Sequence, residues 1–376
     1  MILAALLLVL LVAGALVFTV LAMLAVLRRP RAVAPAAGGA VSVLKPLAGA
    51  EADLEGNLRS FFEQRYPDFE ILFAVRTAAD PAAALVERLR AEYPQVEARL
   101  LIVGEPPYPN AKVWSLAHMT EAARHDLLVM SDSDIRVTRD FLARVVGEFA
   151  DAALGLTTCP YRAVGGPSLW SQLEAVMMNT DFLAGILVAR MLEGMKFAVG
   201  PTVVGRKQAL AAIGGWDRVK DYLAEDFVLG QFAAEAGIGV GLSAVVVEHR
   251  IGSQPWASNA RHRLRWCRST RRSRPAGYVG ELFTFPLPLA LLLLAVAPQW
   301  WPLAALAIVA RVVAAVMTTR MLSAPLALHL LPLSDLASFA FWVAGFFGNT
   351  IDWRGRQYLL RADGRFERVG PAGPGG

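Results

Sequence analysis

Residues 127–137 read LLVMSDSDIRV: four apolar side chains run almost directly into Asp132 and Asp134, two carboxylates one residue apart. A short apolar run bounded by polar residues fits a buried strand. Three more runs of that kind precede it: 41–47 (VSVLKPL, closed by Pro46), 69–75 (FEILFAV) and 98–104 (ARLLIVG). Helical stretches alternate with them. Leu54, Leu58, Phe61 and Phe62 share one helical face within 51–65. Residues 81–93 begin with Pro81 at a first-turn position, and a helix at 111–124 leads into the fourth strand, 125–132. Four βα units with near-continuous apolar strands predict an α/β domain on a mostly parallel sheet covered on both faces. Ligands of such sheets bind beyond the carboxyl ends of the strands. Asp80, Asp132 and Asp134 all fall at such ends.

Outside this region the chain is apolar. Of its 376 residues 55% are hydrophobic and 18% charged, with a mean hydropathy of +0.44, too apolar for an ordinary soluble protein. Ile2 to Leu27 carries no charge, and about twenty such residues span a bilayer. Only Met1 precedes the run, and it exceeds the roughly 7–15 apolar residues of a signal peptide. Arg28, Arg29 and Arg31 follow it, which predicts a retained anchor with the next domain in the cytoplasm. The expected layout is a multi-pass protein of the cell (inner) membrane: an anchor at 1–28, a linker at 32–40 and a cytosolic domain at 40–280. An apolar transmembrane or re-entrant region at 281–352 and a cytosolic tail at 353–376 complete it.

Within 281–352 the candidate spans are 282–298, 300–319 and 335–351, with a short apolar piece, MLSAPLALHLLPL, between the last two. Arg354, Arg356 and Arg361 argue for a cytosolic tail. Crossings after the domain must then be even, so one segment is re-entrant or the short piece also crosses. Arg311, costly against lipid, is expected to face another helix. Cys159 and Cys267 are far apart and support neither a disulfide framework nor a zinc site.

After Thr138 the pattern loosens into a helix at 140–150, a strand at 154–161 and an apolar segment at 168–199. That segment carries Glu174, Asp181, Arg190, Glu193 and Lys196, so it is expected to lie on the membrane or line an apolar cleft rather than cross. Lining a path for lipid and packing as plain core both remain open for it. Strand, helix and turn follow at 203–217, then a helix at 223–237 with acids at its start.

Carboxylates one residue apart on a loop can turn toward one hard cation, since magnesium and manganese accept oxygen ligands. Magnesium commonly takes one or two carboxylates and completes its shell with phosphate oxygens and water. A solvated turn is the competing reading of Asp-Ser-Asp. Asp80 also suits a helix N-cap before Pro81, and Glu225 and Asp226 suit the positive end of a helix. The 259–274 stretch, NARHRLRWCRSTRRSR, holds seven arginines and Trp266. No nucleic-acid motif accompanies it, so no nucleic-acid partner is expected. Anionic headgroups and a departing phosphate are the two targets left: 262–266 is expected to turn inward and the later arginines to rest at the lipid surface.

Taken together, VSVLKPLAG, SFFEQRYPDFEILFAV, DPA, NAKVWSL, SDSDIRV, AEDF, RLRW and WRGRQYLLRADG resemble the ceramide glucosyltransferases, over about 41–365. Their bacterial relatives include hopanoid-biosynthesis glycosyltransferases. The resemblance implies a GT-A-like domain with one N-terminal and several C-terminal transmembrane helices. It implies that Asp80 and Lys112 hold the nucleotide donor, that Asp132 contacts donor and metal, and that Asp134 completes a metal pair, where the animal enzymes have Gly. Asp226 matches the general base. His262, Arg265 and Trp266 match the family's Gln/Arg-x-x-Arg-Trp motif, with His departing at its first position.

The resulting expectation is an inverting transfer of glucose or N-acetylglucosamine from a UDP-sugar to a hydroxyl of a membrane lipid, ceramide or a polyhydroxylated hopanoid. It would be assisted by magnesium or manganese. A lipid transporter or scaffold would leave the acids idle. A metal-dependent phosphohydrolase would be expected to show more metal ligands.

Overall fold

The computed structural model describes residues 2–36, 38–51, 53–353 and 355–369. Arg354 and the end of the expected tail, 370–376, lie outside the described residues. Two compact units are built from interleaved pieces of chain: a sheet unit, 30–161 with 195–252, and a helical unit, 2–29 with 162–194 and 253–369.

The four apolar runs form strands as expected: β1 (Val41–Pro46), β2 (Phe69–Val75), β3 (Glu97–Ile102) and β4 (Leu127–Ser131). The later strands are β5 (Ile135–Arg136), β6 (Leu154–Thr158), β7 (Tyr161–Gly165), β8 (Thr202–Arg206), β9 (Gly239–Leu242) and β10 (Val247–Gly252). Seven of them make one sheet in the order β3-β2-β1-β4-β8-β6-β9. The β1, β2, β3 and β4 neighbours are parallel, as are β6 and β9, whereas β8 runs antiparallel to both β4 and β6.

Helix Ala111–Ala122 lays Val113, Leu116 and Met119 on Leu44, Leu72 and Leu128 of the sheet. That three-residue spacing is what lets one helical stripe cover the central strands. Helix Glu225–Glu235 adds Leu229 and Ala233 to the same core. Because β8 pairs antiparallel with β4, Ser131 faces Thr202. The residues that lead into β8, Gly200 and Pro201, therefore arrive beside the acids that follow β4, and the Asp132 N–H donates to the Pro201 carbonyl at 3.0 Å.

In the helical unit, helix Ile2–Leu27 is about 39 Å long at ~1.5 Å per residue, enough for a bilayer core of about 30 Å. Small residues let it approach its neighbours: Val12 and Ala15 pack with Leu289, Leu293 and Ala307 of helices Pro286–Val296 and Trp301–Leu322. Among the described residues four helices are long and apolar enough to cross a membrane: Ile2–Leu27, Leu169–Glu193, Pro298–Leu322 and Leu328–Gly345. A fifth candidate, Pro275–Thr284 with Pro286–Val296, is bent by 63°, the form of a broken span or re-entrant loop. Three strands close the unit, β11 (Thr350–Trp353), β12 (Arg356–Leu360) and β13 (Phe366–Arg368), all antiparallel.

Two features differ from the sequence reading. Residues 162–194 and 253–280, expected inside the 40–280 domain, belong to the helical unit. The 168–199 segment, expected not to cross, contains Leu169–Glu193, which is long and apolar enough to do so; its helices pack against Ile2–Leu27, Trp301–Leu322 and Leu331–Gly345. Its charges permit this because they are paired internally, Glu174 with Asn259 and His262, and Asp181 with Arg311. Arg311 faces other helices, as expected, and bonds Asp335 of Leu331–Gly345.

Candidate active site

The β4 strand is buried along its whole length and ends at Ser131, so the chain turns at the sheet edge with Asp132, Ser133 and Asp134. The main chain of this turn is held from several directions. Lys45, fully buried in β1, donates to the Asp132 carbonyl and lies 4.2 Å above the Phe61 ring. Asn57 donates to the Ser133 carbonyl at 3.2 Å, and the Arg250 N–H to that of Asp134 at 2.8 Å. Ser133 donates its hydroxyl to Glu51 at 2.7 Å. With the backbone fixed in this way, the two aspartate side chains are displayed at the strand end.

Asp132 Oδ1 meets the Lys112 ammonium at 2.6 Å, and the same ammonium reaches Glu225 Oε1 at 3.0 Å. Lys112 stands in the first turn of its helix, whose N-cap, Asn110, accepts from the Lys112 and Val113 N–H groups at 3.1 Å. The Asn110 amide also donates to the Tyr222 carbonyl at 2.8 Å and to Glu225 Oε2 at 3.3 Å. One asparagine thus ties the helix that carries Lys112 to the start of the helix that carries Glu225 and Asp226. Asp134 turns to His249, Oδ2 to Nε2 at 3.0 Å, and Tyr161 packs edge-on against the imidazole at 5.4 Å.

Charge explains the protonation pattern. Burial disfavours the Lys112 ammonium, yet Asp132, Glu225 and Asp226 outweigh burial and hold it above the usual lysine range. Burial raises Asp132, with Asp134 and Glu225 adding to it against the opposing pull of Lys112. Burial would raise Asp134 too, but His249 prevails and holds it below the ordinary carboxylate range. Lys45 is pushed down to about 7 by burial, against the attraction of Asp132, Asp134 and Glu51. Asp226 is pushed up to about 7 by burial and Glu225, against Lys112. A carboxyl poised near neutrality suits proton transfer at physiological pH. Gly200 leaves room for it: a Cβ there would stand 2.7 Å from Asp226 Oδ2.

Asp80 caps its helix, accepting from the Ala82 N–H at 2.9 Å, and also takes the Gly49 N–H at 3.0 Å. The carboxylate therefore joins the turn after β1 to the turn after β2.

His262, Arg265 and Trp266 belong to the helical unit. His262 Nδ1 meets the fully buried Glu174 at 2.8 Å, Trp266 packs 5.9 Å from Phe182, and Arg265 lies 5.7 Å over Trp353. The later arginines, expected at lipid headgroups, donate to main-chain carbonyls beyond helix Leu331–Gly345: Arg268 to Phe347 at 3.1 Å and Arg271 to Gly348 at 2.7 Å. Cations just past the end of a helix oppose the negative end of its dipole.

Among the described residues no three His, Cys, Asp or Glu side chains converge to cage a metal ion. Asp132 and Asp134 each already face a side-chain nitrogen, Asp132 that of Lys112 and Asp134 that of His249. Residues that sequence reasoning passed over are Lys45, Asn110, Gly200 and His249. A lysine inside an otherwise apolar strand was the available signal for the first.

The description "Glycosyl transferase family 21" matches residues 5–366. Ceramide glucosyltransferase 1 of Caenorhabditis elegans is 31% identical over 211 residues, 56% of this chain and 44% of that protein. A ceramide glucosyltransferase of Komagataella phaffii is 36% identical over 110 residues, 28% of this chain and 22% of that protein. The chain thus spans less than half the length of these curated relatives. A mannosyltransferase from Pyrobaculum calidifontis, solved in complex with GDP-Man and Mn2+, superposes with a TM-score of 0.57 at 20% identity, covering 91% of this chain and 96% of that one. The GT-A-like fold expected from the sequence is borne out by that likeness.

Proposed function

The chain belongs to glycosyl transferase family 21, and on that premise we propose that it moves a sugar from a UDP-sugar to a hydroxyl of a membrane lipid, with inversion. The observation that carries this reading is the meeting of Asp132, Lys112 and Glu225, with Asp226 following, at the carboxyl end of β4 in the parallel part of the sheet. A nucleotide sugar presents its diphosphate to such an edge.

Asp226 takes the proton of the acceptor hydroxyl as that oxygen attacks the anomeric carbon. The bond from that carbon to the diphosphate oxygen breaks, and its electron pair leaves with UDP. The Lys112 ammonium meets the growing negative charge, fixed in place beforehand by Asn110 and Glu225. Asp80 holds the turns after β1 and β2 against the nucleotide. His262, Arg265 and Trp266, whose motif implies contact with the diphosphate, are engaged within the helical unit by Glu174, Trp353 and Phe182 respectively. Asp132 and Asp134 are the carboxylates that would hold magnesium or manganese, whose contribution is to neutralise diphosphate charge.

The candidate spans and the apolar composition fit a lipid acceptor that stays in the bilayer while its head group meets a cytosolic donor. Glucose or N-acetylglucosamine, and ceramide or a polyhydroxylated hopanoid, are the substrates to test. The full chain in nanodiscs, given each UDP-sugar, magnesium or manganese and each lipid, should form a glycolipid detectable by mass spectrometry. Turnover of the donor with no glycolipid from any pairing would refute the lipid acceptor.

A further inference from the structure

We propose that Arg268, Arg271 and Arg272 form a binding site for the phosphate of an anionic phospholipid, at the level where a candidate membrane span ends. The three lie in the last turns of helix Trp256–Ser273. Their acceptors belong to residues 346–350, which directly follow the candidate span Leu328–Gly345. Two residues beyond the arginine helix, Pro275 opens the bent candidate Pro275–Thr284 with Pro286–Val296. Tyr278 of that segment fastens it to the end of the span, donating to the Trp342 carbonyl at 2.7 Å and packing 5.0 Å from the Phe346 ring. The cluster thus sits between the ends of two candidate membrane segments, and basic residues in that position meet lipid headgroups.

Positive charge is in excess there. Arg274 pairs with Glu193 at 3.1 Å, but among the described residues no acid pairs with Arg268, Arg271 or Arg272. Arg268 donates to the Phe347 and Thr350 carbonyls at 3.1 and 2.6 Å, and Arg271 to those of Phe346 and Gly348. Arg271 and Arg272 share Asn349 Oδ1, which draws two like charges together. The end of a helix carries about half an elementary charge, so one arginine suffices for Leu331–Gly345. Burial, Arg272 and Arg268 all lower Arg271 and only Tyr278 opposes them, which is the mark of a positive local field.

Donors are in excess as well. A guanidinium carries five N–H groups, so these six hydrogen bonds engage fewer than half of those present. All three side chains are half-buried and reach the surface. A phosphate suits the fork of such a guanidinium. Next along the chain from Phe346 and Tyr278, Phe347 is 69% exposed and Val279 58% exposed. A soluble polyanion would meet the charge and leave these two in water, whereas a phospholipid meets both with its phosphate and its acyl boundary.

The test uses the full chain, with phosphatidylglycerol as the anionic probe and phosphatidylcholine as the neutral one. Offered an equal mixture, the wild type should retain phosphatidylglycerol over phosphatidylcholine by about ten-fold or more in native mass spectrometry. Arg271→Gln should cut that preference about five-fold, and adding Arg272→Gln should remove most of what remains. The pair Arg271→Lys and Arg272→Lys, which keeps the charge, should retain most of it. Unchanged UDP-sugar affinity in phosphatidylcholine nanodiscs shows that the variants are folded. Equal retention of the two lipids by the wild type overturns the proposal, as does a full preference in the double glutamine variant. A loss of donor affinity in the glutamine variants that the lysine variant does not share assigns these arginines to the nucleotide and overturns it too. Independently of any variant, photoactivatable phosphatidylglycerol should label the wild type within 268–279 or 346–350, and labelling confined to other segments overturns the site.

Discussion

If Asp226 is the base, its replacement by asparagine removes one proton acceptor and almost no volume. The structure sets two expectations for the Asp226→Asn variant. Positioned acid–base catalysis contributes about 10²–10⁴-fold, so turnover should fall by at least about 10²-fold while UDP-sugar affinity holds. The second is the shape of the pH profile. With a carboxyl at about 7, roughly a tenth of the base is ionised at pH 6, about half at pH 7 and about nine tenths at pH 8. Wild-type kcat should therefore climb some five-fold from pH 6 to 7 and level off above pH 8. The residual activity of Asp226→Asn should lack that limb. Stability carries the opposite sign: folding favours the protonated form of a carboxyl raised from 3.8 to about 7. That contribution is complete below about pH 4 and is lost as the pH rises through 7. Initial rates in nanodiscs from pH 5.5 to 8.5, with nucleotide binding measured alongside, decide the matter. Near-normal turnover, or an unchanged acid limb in the variant, would refute the role.

Four other perturbations follow from the same contacts. Gly200→Ala would set a Cβ 2.7 Å from Asp226 Oδ2, and kcat should drop about ten-fold or more with donor affinity kept, as expected when a catalytic group is displaced. Lys112→Met removes ionic contacts to Asp132 and Glu225, each worth ~1.5–3 kcal/mol; both donor affinity and kcat should fall, measured by nucleotide titration and steady-state rates. Arg311→Met strands Asp181 and Asp335 and should lower stability by about 3–5 kcal/mol in thermal melts, with most of it regained when both acids are also made neutral. Chelation should abolish transfer, magnesium or manganese should restore it, and Asp132→Asn should raise the concentration of ion required.

The parallel half of the sheet was legible because β1, β2 and β4 are buried almost throughout and therefore spelled as mainly apolar runs, broken by Ser42 and Lys45 in β1 and Glu70 in β2. The helices between them announced themselves by spacing and by caps such as Asp80 before Pro81. What could not be read was pairing across long separations. Nothing local in TVVGR tells that β8 inserts antiparallel between β4 and β6 and so delivers Gly200 to Asp226. The same limit hid His249, whose partner Asp134 lies 115 residues earlier. Sequence spacing likewise placed 162–194 and 253–280 in the sheet domain, because the contacts of Glu174 with His262 and of Asp181 with Arg311 become visible only in three dimensions.

Lys45 grips the peptide oxygen of residue 132 and not its carboxylate. The shape of the loop is thereby uncoupled from the chemistry it displays. Side chains at 132 and 134 can be exchanged without redrawing the path of the chain, which leaves one scaffold free to explore other donors and other ions over evolutionary time.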